Sequence, residues 1–134
     1  MNDNRAKRQL LARGECNDVT VQMFIDSGSA VSLVSPSFLS RIGKLANIKQ
    51  CNAVLTSFTS DKISVIGEVS LDVKIDNVLA TRHKYIVTDM LDVEFLVGLD
   101  FLERNKLSID FGTSRLMNKN GRYCELFEKP RDTP

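Results

Sequence analysis

Residues 19–34, VTVQMFIDSGSAVSLV, constrain this chain more than any other stretch. Val19–Ile25 reads as a strand that runs into the turn Asp26-Ser27-Gly28, with more β-prone residues over 31–34. Met23, Phe24 and Ile25 form an apolar approach with no polar break, as in a strand covered on both faces. Then a carboxylate stands where the burial pattern asks for another hydrophobe. A buried Asp has to be paired, hydrogen-bonded or protonated, so Asp26 is the first candidate for chemistry. Gly28 permits close backbone approach, and the Ser27 hydroxyl can lock the turn. The plain alternative is an ordinary loop turn, and four common residues alone do not decide between the two.

The rest of the chain is β-rich. Ser35-Pro36 supplies an N-cap followed by proline at the first helical position, predicting a short helix over residues 37–42 that ends near Gly43. A new β segment begins at residues 51–56, and 57–62 form a polar turn. Residues 63–75 alternate, with Ile63, Val65, Val69, Leu71, Val73 and Ile75 on one face and Glu68, Ser70, Asp72 and Lys74 on the other. Gly67 interrupts this strand as a bulge or bend would. Asp76-Asn77 then turns the chain into a further strand over Leu79–Val87, which makes a hairpin whose neighbouring turn, residues 58–63, can project from the body. Phe95–Val97 is a short buried strand, residues 99–105 a helix of about two turns, and 107–111 a strand. Asn120-Gly121 is a strong hairpin signal between segments 115–117 and 123–127. The sum is one all-β domain of short strands with one or two short helices. Residues 1–18, with Arg5, Lys7, Arg8 and Arg13, read as a flexible basic arm, 19–127 as the domain, and 128–134 as a tail.

A formal net charge of +1 argues against a dominant polyanion partner such as nucleic acid. No apolar run approaches the ~20 residues that cross a bilayer, and no signal peptide precedes Asp18, so no membrane role is expected. Cys16, Cys51 and Cys124 are odd in number and far apart, which fits reduced thiols in a cytoplasmic setting. With no Cys-x-x-Cys and a single histidine, His83, neither a structural metal nor a cofactor is expected. His83 sits in a strand where a surface imidazole would be unremarkable. Ser32, Ser35 and Ser37 have no adjacent base. Asp89, Asp92 and Glu94 suit a solvated loop better than a cation site.

Two motifs together carry a resemblance. Asp26-Ser27-Gly28-Ser29 resembles the Asp-Thr/Ser-Gly-Ala/Ser loop of aspartic proteases. Phe95-Leu96-Val97-Gly98-Leu99-Asp100-Phe101-Leu102 is similar to the second signature of retropepsin-like proteases, most of all those of gypsy-class LTR retrotransposons and the DNA-damage-inducible family. The order of the two, with a hairpin between, matches as well. The resemblance covers residues 19–127 and implies a retropepsin-like closed β-barrel, the acid protease fold. It implies a catalytic role for Asp26, with Ser27 and Gly28 completing the loop. Ser29, Ala30, Val31, Phe58, Ile63 and Leu99 are the candidate substrate contacts, with packing on the barrel as the alternative role of Phe58 and Ile63.

The chain holds one such loop where two-domain relatives hold two, and no second Asp-(Ser/Thr)-Gly follows Gly28. One carboxylate cannot be both acid and base around one water, so a working site requires a C2 homodimer in which Asp26 meets its symmetry mate. The two carboxyl groups would share a proton, one activating water and the other polarising the scissile carbonyl. Ser29 is expected to donate to the Asp26 carboxylate and so favour a more acidic optimum than alanine would. Ala30 and Leu99 stand where retroviral enzymes commonly carry an Asp–Arg ion pair at the dimer, so that pair is lost as a unit. The flap tip, residues 57–62, lacks glycine, and Val31, Leu33, Ile66 and Leu99 are candidate apolar lining. Two functions follow. The first is an aspartic endopeptidase acting on a polypeptide such as a Gag-Pol-like polyprotein, in the cytoplasm or within virus-like particles. The second is an inactive or domesticated module of the same fold that dimerises or binds peptides.

Overall fold

The computed structural model describes residues 9–56, 62–89 and 92–128. Its main sheet orders the strands β12-β1-β2-β8-β3-β7-β6, and a further pairing of β1 with β6 closes six of them into a barrel. These are β1 (Leu10–Cys16), β2 (Val19–Ile25), β3 (Leu33–Val34), β6 (Gly67–Ile75), β7 (Leu79–Val87) and β8 (Phe95–Val97). β12 (Phe127–Glu128) adds to the outer edge of β1 through Leu10 and Leu11. A separate two-stranded hairpin joins β4 (Leu55–Thr56) to β5 (Lys62–Ile63), and β9 (Ser108–Asp110), β10 (Arg115–Met117) and β11 (Tyr123–Glu125) make a third sheet. The helices are α1 (Pro36–Arg41) and α2 (Leu99–Arg104).

The continuous apolar runs now have a physical reason. Met23 and Ile25 enter the main core while Phe24 packs on a second apolar cluster on the barrel's other face. In β8, Phe95 and Val97 face the main core and Leu96 the second cluster; in β3, Val34 and Leu33 divide the same way. Strands covered on both faces have no polar side to show in sequence. β6 is half-covered instead, with Val69, Leu71, Val73 and Ile75 buried and Ser70, Asp72 and Lys74 exposed, as its alternation predicts. α1 starts as its sequence dictates: the Phe38 N–H donates to Ser35 Oγ at 3.2 Å with proline following the cap.

Three expectations are corrected. Residues 10–16 are not part of a flexible arm: they form β1, paired with β2 along its whole length. Of its inward residues Leu10, Ala12, Gly14 and Cys16, the last three are small, and at Gly14 there is no room for more. A β-carbon on Gly14 would lie 2.5 Å from Met23 Cε and 2.6 Å from the Lys74 carbonyl oxygen. Small side chains carry little hydrophobic signal, so the basic residues dominate the composition of residues 1–18. The β segment expected over 51–56 is limited to β4, residues 55–56. His83 is not a surface residue. Its register in β7 puts it on the face shared with Tyr85 and Val87, and it is 6% exposed.

Candidate active site

Asp26 follows the last residue of β2, at the end of one of the barrel's two parallel strand pairs. β2 and β8 run parallel with Phe24 beside Leu96 and Ile25 beside Val97, and the Asp26 N–H donates to the Val97 carbonyl at 2.9 Å. Its side chain then folds the chain back on itself. The Gly28 N–H donates to Asp26 Oδ1 at 2.9 Å, and the Ser29 N–H to the Asp26 carbonyl at 3.1 Å. A β-carbon on residue 28 would sit 3.2 Å from that carboxylate oxygen, tight enough to disturb the turn. Asp26 is half-buried, and Ser27 is exposed.

The second motif is the seat of this loop. α2 begins with no side-chain cap, so its first N–H groups need outside acceptors. The loop supplies them: Leu99 N–H donates to the Ser29 carbonyl at 2.7 Å and Asp100 N–H to the Ala30 carbonyl at 3.2 Å. Gly98 has to be glycine here, because a β-carbon would lie 2.4 Å from the Val31 carbonyl oxygen. Beneath this contact, buried Ser32 accepts from the Gly98 N–H at 2.9 Å and donates to Asp100 Oδ1 at 2.7 Å. Asp100 Oδ1 also accepts from the Phe101 N–H at 2.8 Å, and Oδ2 meets His83 Nε2 at 3.1 Å. Ser32, Asp100 and His83 had no assigned role in the sequence reading. The signal was present, since Asp100 belongs to the second motif and the period of β7 turns His83 inward.

Asp26 opens into a cleft of about 740 Å3 between its loop and the β4–β5 hairpin, lined by Gly28, Ser29, Ala30, Val31, Leu33, Val54, Leu55, Ile63 and Leu96. Asp26 is the sole ionisable side chain among these lining residues. Of the predicted contacts, Ser29, Ala30, Val31 and Ile63 come together here, as does Leu33. Leu99 and Ile66 stand outside the lining and are 38% and 44% exposed. Phe58 lies outside the described residues, as does the flap tip at 57–61. Val54 and Leu55 were missed because their segment carries too short a strand to show a period.

Ser29 is a further correction. Its hydroxyl donates to the Val31 carbonyl at 2.8 Å rather than to the Asp26 carboxylate, so it braces the loop backbone. In the acidic run before β8, Glu94 is tied to Arg41, whose Nη1 contacts both carboxylate oxygens at 2.5 and 2.7 Å.

A closed barrel with one Asp-Ser-Gly loop seated on a Gly-x-Asp helix start defines a retropepsin-like aspartic protease. Residues 12–104 match the gag-polyprotein putative aspartyl protease family, and the chain belongs to it. It is 26% identical over 121 residues, 90% of its own length, to Protein DNA-DAMAGE INDUCIBLE 1 of Arabidopsis thaliana, of which it spans 29%. Among solved structures it resembles the retroviral protease-like domain of Ddi1 from Leishmania major, with a TM-score of 0.69, 20% identity, and coverage of 89% of this chain and 90% of that one. It also resembles the EIAV protease complexed with the inhibitor HBY-793, with a TM-score of 0.61, 15% identity, and coverage of 83% and 100%. At these identities the structural likeness is one of fold.

Proposed function

We propose that the chain is an aspartic endopeptidase that works as a C2 homodimer, with Asp26 of each protomer meeting at the twofold axis. The observation that carries this reading is the lone carboxylate of Asp26, fixed by Gly28 in a cleft whose other lining residues are uncharged and mostly apolar. Two such groups facing each other share one proton. The ionised member takes a proton from a water as its oxygen attacks the scissile carbonyl carbon. The protonated member gives its proton to the carbonyl oxygen, forming a neutral tetrahedral diol. Collapse breaks the C–N bond as a proton passes to the leaving nitrogen and the other carboxyl group recovers its own.

Ser27 and Gly28 hold the loop, and Ser29, Ala30, Val31 and Ile63 contact the peptide. Phe58 and Leu99 complete the substrate contacts in this reading. The substrate is a polypeptide, and the family description favours a Gag-Pol-like polyprotein. Incubating wild type and Asp26→Asn with a peptide library, with and without a pepstatin-type inhibitor, tests this. Cleavage that the inhibitor and Asp26→Asn both abolish supports it. Cleavage that survives Asp26→Asn overturns it, and a dimer that cleaves nothing at mildly acidic pH favours the peptide-binding module instead.

A further inference from the structure

His83 lies deep in the fold, edge-on to Tyr85 at 5.4 Å and to Phe101 at 4.9 Å between ring centroids. Both of its ring nitrogens are engaged. Nε2 meets Asp100 Oδ2 at 3.1 Å, and Nδ1 meets Arg104 Nη1 at 3.3 Å. A guanidinium has donors and no acceptor, so Nδ1 must accept and the ring proton is assigned to Nε2. The proton therefore points at Asp100. Asp100 in turn takes the Ser32 hydroxyl proton, which leaves the Ser32 oxygen facing the Gly98 N–H.

We propose that His83 is a positioning residue for the active-site loop: fixed as its Nε2–H tautomer by Arg104, it orients the Asp100 carboxylate, and through Ser32 and Gly98 holds the loop that carries Asp26. Each contact in this chain has one direction. Without the imidazole donor, Asp100 Oδ2 loses its partner inside the fold. The carboxylate is then anchored through Oδ1 to the Ser32 hydroxyl and the Phe101 N–H with its other oxygen unheld, so its aim at Ser32 loosens. Gly98 then loses a fixed acceptor at the point where it presses on the Val31 carbonyl. The consequence falls on loop geometry, and small displacements of a catalytic group act on turnover more than on substrate affinity.

The catalytic consequence rests on the endopeptidase reading, while the tautomer and the loop do not, so the test separates them. His83 is the chain's one histidine, so full-length protein labelled with 15N-histidine gives a single pair of ring nitrogen signals. The expected spectrum near neutral pH is that of the Nε2–H tautomer, and in Arg104→Leu, a change at an exposed side chain, it becomes a mixture of tautomers. An Nδ1–H ring in wild type, or one averaged as in free imidazole, overturns the proposal. In His83→Phe, amide exchange at Gly98 and Leu99 is expected to rise about tenfold and kcat to fall about tenfold with KM changed less than about twofold. His83→Gln, which keeps a donor, is expected to restore most of both. Unchanged exchange at Gly98 and Leu99 in a folded His83→Phe overturns the proposal, and so does a His83→Gln that fares no better. If His83→Phe does not fold, the tautomer in wild type and in Arg104→Leu decides it. Wild type that cleaves no peptide removes the endopeptidase reading, while the ring and amide measurements still judge the role of His83.

Discussion

Gly98 lies directly beneath Val31, so close that a β-carbon would stand 2.4 Å from the Val31 carbonyl oxygen and 2.6 Å from its carbon. Both obstacles are backbone atoms of the loop that carries Asp26, so no side-chain rotation relieves the overlap. Gly98→Ala is therefore expected to push the loop away from α2. Its hydrogen bonds from Leu99 and Asp100 to Ser29 and Ala30 stretch with it. The expected loss is about 3 kcal/mol of stability, at the upper end for overpacking, with cleavage falling below detection. Urea unfolding and a peptide-cleavage assay on the same preparation measure both.

The place of the Ser29 hydroxyl reverses an expectation from sequence. It donates to the Val31 carbonyl and leaves the Asp26 carboxylate with the Gly28 N–H. Ser29→Ala is thus expected to leave the acidic limb of the pH–rate profile where it is in wild type. The loop loses one side-chain hydrogen bond, worth about 1 kcal/mol. A limb that moves by a whole pH unit would show that the hydroxyl reaches Asp26 in the working enzyme.

These two cases mark what the sequence could say. A glycine before Leu99-Asp100 is visible as a motif, and the barrel strands β2, β6, β7 and β8 are visible as runs or alternations, because side-chain period reports burial directly. β1 was hidden, since three of its four inward residues, Ala12, Gly14 and Cys16, are small and carry little period signal beside Arg13 and Glu15. Ser29 was misassigned because a hydroxyl next to a carboxylate in sequence has several acceptors within reach, and only the loop's path chooses Val31. The partnership of His83 with Asp100, 17 positions apart, depends on how α2 packs beneath β7. Each residue was in view, and their contact was not.

Cys16 gives a stability change in alkali. Burial first, and the charge of Asp72 second, push its thiol from 9.0 up to about 11. The unfolded chain therefore loses this proton before the folded one does. The thiol's contribution is complete below about pH 9 and is lost as pH rises towards 11. The full difference corresponds to about 2–3 kcal/mol. Burial also raises Tyr85, so the total alkaline loss belongs to more than one group. Comparing urea midpoints of wild type and Cys16→Ala across this range isolates the thiol: the variant starts less stable and falls less steeply. Parallel curves would exclude it.

The proposed requirement for two chains makes a quantitative claim on mixtures. In the proposed dimer each protomer brings one Asp26, and both members of the pair act in every turnover, one as base and one as acid. The Asp26→Asn chain should fold and dimerise normally, because the amide oxygen can still accept from the Gly28 N–H that holds the turn. Mixing it with wild type at constant total concentration, after a cycle of unfolding and refolding to randomise partners, yields pairs that contain one, two or no carboxyl groups. Only pairs with two can cleave, so activity is expected to fall as the square of the wild-type fraction. Dilution of wild type alone should lower activity per chain once dissociation sets in, and a covalently joined tandem should resist that loss. A linear response to the wild-type fraction, with activity per chain unaffected by dilution, would mean that one chain carries the whole reaction, and the paired-carboxylate mechanism would have to be abandoned.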